Sequence, residues 1–139
     1  MKDRRVVLDR SNHAVFSLYY HLILVVKYRR KVITDSMCSY LKNIFIYISE
    51  RYGMDLVEMN HDRDHVHILF KVGHSDSEIS KFINTYKSAT SRIVKKDYPE
   101  VRECLRNSAF WSSSYCLITA GGAPIETLKQ YVENQGGRL

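Results

Sequence analysis

His61-Asp62-Arg63-Asp64-His65-Val66-His67-Ile68-Leu69-Phe70 is a charged turn that runs straight into an apolar stretch carrying two histidines. Branched and aromatic residues in alternation predict a β-strand from residue 65 to about residue 72. Successive side chains of a strand point to opposite faces, so His65 and His67 share one side while Val66, Ile68 and Phe70 share the other. One face is suited to a core, the other to a pair of adjacent imidazoles. That pair is a metal-binding geometry if a third ligand arrives from elsewhere. It is equally what two ordinary polar residues look like at the mouth of a half-exposed strand.

Working outward from this strand, residues 56–59 form a short strand that the turn at residues 60–64 joins to it. Upstream, Thr34 or Asp35 caps a helix in which Met37, Leu41, Ile44, Phe45, Ile48 and Tyr52 recur at three- and four-residue spacing, with Gly53 as its stop. Residues 15–26 are apolar on both faces and read as a long central strand. Lys27-Tyr28-Arg29-Arg30-Lys31 follows, four cations around one tyrosine, which is either a solvated loop or a corner that grips phosphate. Residues 1–14 read as a loosely held arm.

Downstream, Ser75 and Glu78 have the spacing of a capping box, and Ile79, Phe82, Ile83, Tyr86, Thr90 and Ile93 define the buried stripe of a second helix reaching about Lys96. Its other face carries Lys81, Asn84, Lys87, Ser88, Ser91, Arg92 and Lys95, suited to a sugar-phosphate backbone or simply to water. Pro99 ends that segment, and a charged connection leads to a strand over residues 109–119 with an aromatic entrance. Trp111 there reads as core, because large aromatics at strand starts usually pack. Gly121-Gly122 allows a hinge, Pro124 sits at a helix start, and Ile125, Leu128 and Val132 give the last helix a narrow apolar face before Gly136-Gly137. The succession strand, helix, strand, strand, helix, strand predicts an α+β fold, a ferredoxin-like antiparallel sheet with two helices on one face, followed by a C-terminal helix.

With 139 residues the chain is expected to form a single domain, large enough to bury a core without staples. A net charge of +6 and a pI near 9.3 favour a polyanionic partner. Cys38, Cys104 and Cys116 are odd in number and lack a C-x-x-C pair, which argues against a disulfide framework or zinc knuckle and fits a reducing cytoplasm. Neither an apolar signal region at the start nor a membrane-length stretch is present in the sequence.

The chemistry depends on two further residues. Tyr131 and Gln135 are four apart on the last helix, hence on one side of it. A phenol with a pKa of about 10 is a poor nucleophile unless its target is polarised, which a divalent cation on a phosphodiester can do. His65 and His67 can supply two nitrogen ligands and Gln135 an amide oxygen. Ligand type alone favours Zn²⁺ or Mn²⁺ over Mg²⁺, which prefers all-oxygen shells.

These blocks taken together resemble the IS200/IS605-family transposases, single-tyrosine members of the HUH endonuclease superfamily. The resemblance rests on Tyr20-His21-Leu22 leading to Lys27-Tyr28-Arg29-Arg30-Lys31-Val32, Asp64-His65-Val66-His67-Ile68-Leu69, Phe110-Trp111-Ser112 with Tyr115, and Tyr131-Val132-Glu133-Asn134-Gln135, in the family's order. It implies that Tyr131 attacks a phosphodiester of single-stranded DNA, leaving a 5′-phosphotyrosine link and a free 3′-hydroxyl. It also implies Mg²⁺ or Mn²⁺ held by His65, His67 and Gln135, recognition of a hairpin near each end of a mobile element, and a homodimer whose tyrosine helices complete the active sites in trans. Lys27 to Lys31, Lys81, Lys87, Ser88, Ser91, Arg92 and Lys95 are then the candidates for DNA contact. The competing expectations are a related HUH nickase or domesticated repeat-associated transposase, and a non-catalytic RRM-like module that binds nucleic acid through sheet aromatics.

Overall fold

The computed structural model describes residues 9–11, 14–16, 18–73, 78–120 and 125–136. Strand β1 (Asp9–Ser11) pairs antiparallel with β2 (Ala14–Phe16) as a separate two-stranded ribbon. The arm expected over residues 1–14 thus contains a strand, and the long strand expected over residues 15–26 divides into β2 and β3 (Leu18–Val25). A 3-10 turn at Lys27–Arg29 leads to α1 (Asp35–Ser49). Thr34 is the cap, its hydroxyl accepting from the Met37 backbone N–H at 3.2 Å. Helix α1 tightens through a second 3-10 turn to Gly53, which takes the left-handed conformation (φ 68°) that glycine adopts most easily.

Strands β4 (Met54–His61) and β5 (His65–Val72) form the hairpin that carries the histidines. β4 is longer than the 56–59 expected because a register shift between Leu56 and Glu58 lets pairing continue beyond the break in alternation. Helix α2 (Ile79–Asp97) starts at Glu78 without a side-chain cap, and Ser75, its expected capping partner, lies outside the described residues. Its buried stripe is Ile79, Phe82, Ile83, Tyr86, Thr90 and Val94, so the last turn buries Val94, with Ile93 only partly covered. Pro99 opens the short helix α3 (Pro99–Cys104), where its missing N–H costs nothing. The strand expected over 109–119 is reduced to β6 (Cys116–Thr119), preceded by an irregular stretch in which Trp111 bridges Val26. Helix α4 (Ile125–Gly136) closes the chain, and the glycine pair 121–122 falls outside the described residues.

The main sheet has the order β4-β5-β3-β6, antiparallel throughout. With β5 and β3 at its centre and two crossover helices, this is the ferredoxin-like α+β arrangement. Val66, Ile68, Phe70 and Val72 of β5 and Leu22 and Leu24 of β3 are fully buried in one cluster with Phe45 of α1 and Phe82 and Tyr86 of α2. Phe45 meets the rings of Phe70, Phe82 and Tyr86 at centroid distances of 5.8, 5.0 and 5.2 Å, all edge-on. Trp111 is core, as its position suggested, and its indole N–H donates to Thr90 Oγ1 at 2.8 Å.

Candidate active site

The opposite face of the sheet is built from the other half of the same alternation. Register places Val25 beside His65, Ile23 beside His67 and His21 beside Leu69, so these side chains share the face that α1 and α2 leave uncovered. Helix α4 packs on part of it. Val132 forms a small second cluster with Ile23 and Val25, flanked by Tyr131, Cys116 and Ile118. The tyrosine helix therefore sits over β3 and β6 of its own chain, and the two residues beneath Val132 are the cross-strand neighbours of the two histidines.

Tyr131 and Gln135 are gathered by a residue that the sequence did not single out. Ser114 Oγ lies 3.1 Å from the Tyr131 hydroxyl and 3.3 Å from Gln135 Oε1. An amide oxygen only accepts, so Ser114 donates to Gln135 in this geometry and accepts from the phenol. Burial pushes the Tyr131 phenol above its usual range.

The two histidines are held differently. Burial lowers the His67 pKa, with His21 nearby adding to it, so His67 is neutral at pH 7. Its Nε2 lies 2.7 Å from His21 Nδ1, and the two rings are 4.9 Å apart between centroids. The pairing of β3 with β5 creates this contact. His65 Nδ1 lies 2.9 Å from Oδ1 of Asp64, a carboxylate only 3 % exposed, while Oδ2 accepts from Arg29 Nε at 2.9 Å. Burial alone would raise the Asp64 pKa, but the hydrogen bonds from His65 and Arg29 more than offset it and hold the carboxyl below its usual range. Asp62, Asp64 and His65 bring ligand-type atoms within 4.8 Å of one another. Both Asp64 oxygens are already engaged there, one of them by a guanidinium, so this carboxylate serves His65 better than it would serve an ion. Two imidazoles on one sheet face, with an amide oxygen on the helix that covers its other half, do fit a borderline divalent cation.

The cationic corner and the second helix also take definite positions. Tyr28 is exposed, with Lys27 Nζ and Arg30 Cζ at 5.7 and 5.8 Å from its ring. Arg29 turns inward to Asp64, and Lys31 Nζ stands 3.7 Å from the same carboxylate. On α2, Lys81, Ser88 and Arg92 are exposed. Lys87 donates to the carbonyls of Ser112 and Ser113, Lys95 to that of Ser108, and Ser91 Oγ accepts from the Phe110 N–H. These bonds pin the irregular stretch before β6 against α2. Between the two lies a groove of about 590 Å³, with Arg92 and Ser88 on its wall.

The chain matches the family described as Transposase IS200 like over residues 14–135. It belongs to that family. The IS200-like chain is 32% identical to ISDra2 transposase TnpA of Deinococcus radiodurans over 128 residues, covering 92% of this chain and 91% of that one. It is 23% identical over 123 residues to the transposase for insertion sequence element IS200 of Salmonella typhimurium, covering 88% and 80%. A crystal structure of a transposase from Deinococcus radiodurans R1 superposes with a TM-score of 0.80 at 30% identity, over 91% of this chain and 97% of the other. A REP-associated tyrosine transposase bound to a REP hairpin shares the fold at a TM-score of 0.56 and 10% identity, over 83% and 62%. As an IS200-like transposase the chain is in a family of DNA-cleaving and DNA-transferring enzymes, which sets aside the non-catalytic RRM-like module. No helix among the described residues is long and apolar enough to cross a membrane.

Proposed function

We propose that this transposase cleaves and rejoins single-stranded DNA at hairpin-bearing element ends, using Tyr131 as nucleophile and a Mg²⁺ or Mn²⁺ ion held by His65, His67 and Gln135. The observation that carries the reading is the grouping of Tyr131 and Gln135 about Ser114, on the sheet face that also bears the two histidines. The ion, when bound, polarises the scissile phosphate and neutralises its charge. Tyr131 Oη forms the new bond to phosphorus as the bond to the 3′-oxygen breaks. The phenol gives up one proton and the departing 3′-oxygen gains one, so the products are a 5′-phosphotyrosine and a free 3′-hydroxyl. Burial favours the neutral form of His67, whose Nε2 meets His21 Nδ1, and Ser114 hydrogen-bonds both the phenol and the amide.

Lys27, Arg30 and Lys31 of the cationic corner and the exposed edge of α2, with Lys81, Ser88 and Arg92, are the proposed contacts to the DNA backbone, whereas Arg29 is engaged by Asp64. A homodimer is part of the same proposal, and in this structure the tyrosine helix lies over the sheet of its own chain. The test of the chemistry is a labelled single-stranded hairpin substrate incubated with Mn²⁺ or Mg²⁺. Wild type should give a denaturant-resistant protein–DNA adduct and Tyr131→Phe none; an adduct persisting in Tyr131→Phe would remove that residue from the role. Mixing Tyr131→Phe with His67→Ala should restore cleavage if helices serve the partner's histidines, and should leave none if each chain uses its own.

A further inference from the structure

Arg29 belongs to the cationic corner, yet its half-buried guanidinium is bonded within the protein. The chain reaches this point through two consecutive non-glycine residues in left-handed conformation, Tyr28 (φ 59°) and Arg29 (φ 52°), with the Arg29 N–H bonded to the Val26 carbonyl at 2.8 Å. Left-handed backbone in side-chain-bearing residues persists only where the surroundings impose it, and it clusters at functional sites. The outcome of this turn is that one guanidinium faces two separate parts of the molecule. Nε donates to buried Asp64 at 2.9 Å, and Nη1 reaches the Glu133 carbonyl of α4 at 3.4 Å. Glu133 lies two residues from both Tyr131 and Gln135, in the last turn, where helix carbonyls lack an intrahelical donor and favour a cation.

Asp64 in turn determines which nitrogen of His65 is free. An ionised carboxylate is acceptor-only, so His65 Nδ1, 2.9 Å from Oδ1, must carry the proton, and the lone pair is left on Nε2. We propose that Arg29 and Asp64 are positioning residues: Asp64 fixes the His65 tautomer and ring, and Arg29 holds Asp64 in place while tethering the helix that carries Tyr131. This rests on the proposed metal role of His65 only for its catalytic meaning. The planar fork aims Nε at the carboxylate and Nη1 at the carbonyl, a spacing that the single nitrogen of a lysine does not reproduce.

The test uses the full chain without metal. Long-range proton–nitrogen NMR of the imidazoles, assigned with His65→Gln, should find His65 protonated at Nδ1 in wild type and a mixture of tautomers in Asp64→Ala. If Asp64→Ala does not fold, Asp64→Asn replaces it: the amide oxygen still accepts from His65, but without charge its hold on Arg29 falls, so the tautomer stays and α4 loosens. Amide exchange at residues 131–135 should accelerate about tenfold in Arg29→Ala and in Arg29→Lys, with α1 and α2 unchanged, the scale of one lost bond to a charged group. Titration with Mn²⁺ followed by electron paramagnetic resonance should give affinity about 10–100-fold weaker in Asp64→Ala than in wild type. An unchanged tautomer in Asp64→Ala, or unchanged α4 exchange in both Arg29 variants, overturns the proposal. Failure of wild type to bind Mn²⁺ would sink the metal reading instead, while the NMR and exchange results still decide the positioning roles.

Discussion

The two faces of β5 differ although the same eight residues form both. Toward α1 and α2, Val66, Ile68, Phe70 and Val72 are all fully buried among side chains that offer only shape. Toward α4, His65 and His67 are each held by a named polar partner, Asp64 and His21. The first face is fixed by packing and tolerates apolar exchange at constant volume but neither a change of volume nor a polar group. The second has the reverse property: its residues are only half-buried and are replaceable for stability, but they are specified by which atom meets which. Packing and the proposed chemistry are thus divided across the sheet, one residue apart.

The sharpest way to break that division is a pair of substitutions on the two faces of β5. Phe70→Ala should cost about 3–5 kcal/mol in denaturant unfolding, enough to lose activity with the fold. His67→Ala should cost only about 1 kcal/mol, the worth of its bond to His21, yet abolish metal-dependent cleavage while hairpin binding persists. A His67→Ala protein that unfolds like Phe70→Ala would show the histidine face to be core after all. A smaller effect is expected at the rim of the packed face, where Trp111→Phe leaves Thr90 without its indole partner. Chemical denaturation should register a loss of about 1–3 kcal/mol there, with cleavage by the folded enzyme unchanged.

Smaller still is the contribution of one surface cation. Arg92→Ala should lower hairpin affinity and reduce the slope of log K against log salt by about 1, without moving the melting temperature. An unaltered slope would take Arg92 out of the interface. The least effect belongs to His61, whose Nδ1 and Nε2 face the Asp62 carbonyl at 2.9 Å and the Asp35 carboxylate at 2.8 Å. Both partners only accept, so the ring is protonated when both bonds are made. Burial opposes that charge, but the two partners outweigh it and raise the pKa. The stabilisation is therefore fully present below the unfolded value of about 6.5 and is lost as pH rises through the raised folded value. Melting curves of wild type and His61→Ala should differ at about pH 5.5 and converge in alkaline buffer.

Much of this arrangement was legible in the chain. Alternation placed His65 and His67 opposite Val66, Ile68 and Phe70 because a strand has a period of two whatever surrounds it. Helical spacing finds most of the buried faces of α1 and α2 for the same kind of reason, missing Cys38 and Ser49 on α1, where Ile44 and Tyr52 are only partly covered, and the drift from Ile93 to Val94 at the end of α2. The stretch at residues 15–26 divides into two strands of different sheets, and the strand expected before α4 shortens to residues 116–119, since apolar content marks burial and not pairing: Phe110, Trp111 and Ser112 are buried without forming a strand.

What the sequence determined by itself is the set of local periods, the cationic corner and the four motif blocks whose order matches the family, because these depend on neighbours along the chain. What only the tertiary structure decided is who meets whom across it. His21 meets His67 through strand register, Ser114 joins Tyr131 to Gln135, and Arg29 turns from the surface toward Asp64 and α4. Those contacts span 17 to 104 positions in sequence, and no local pattern encodes a distance that is created only when the sheet and its last helix come together.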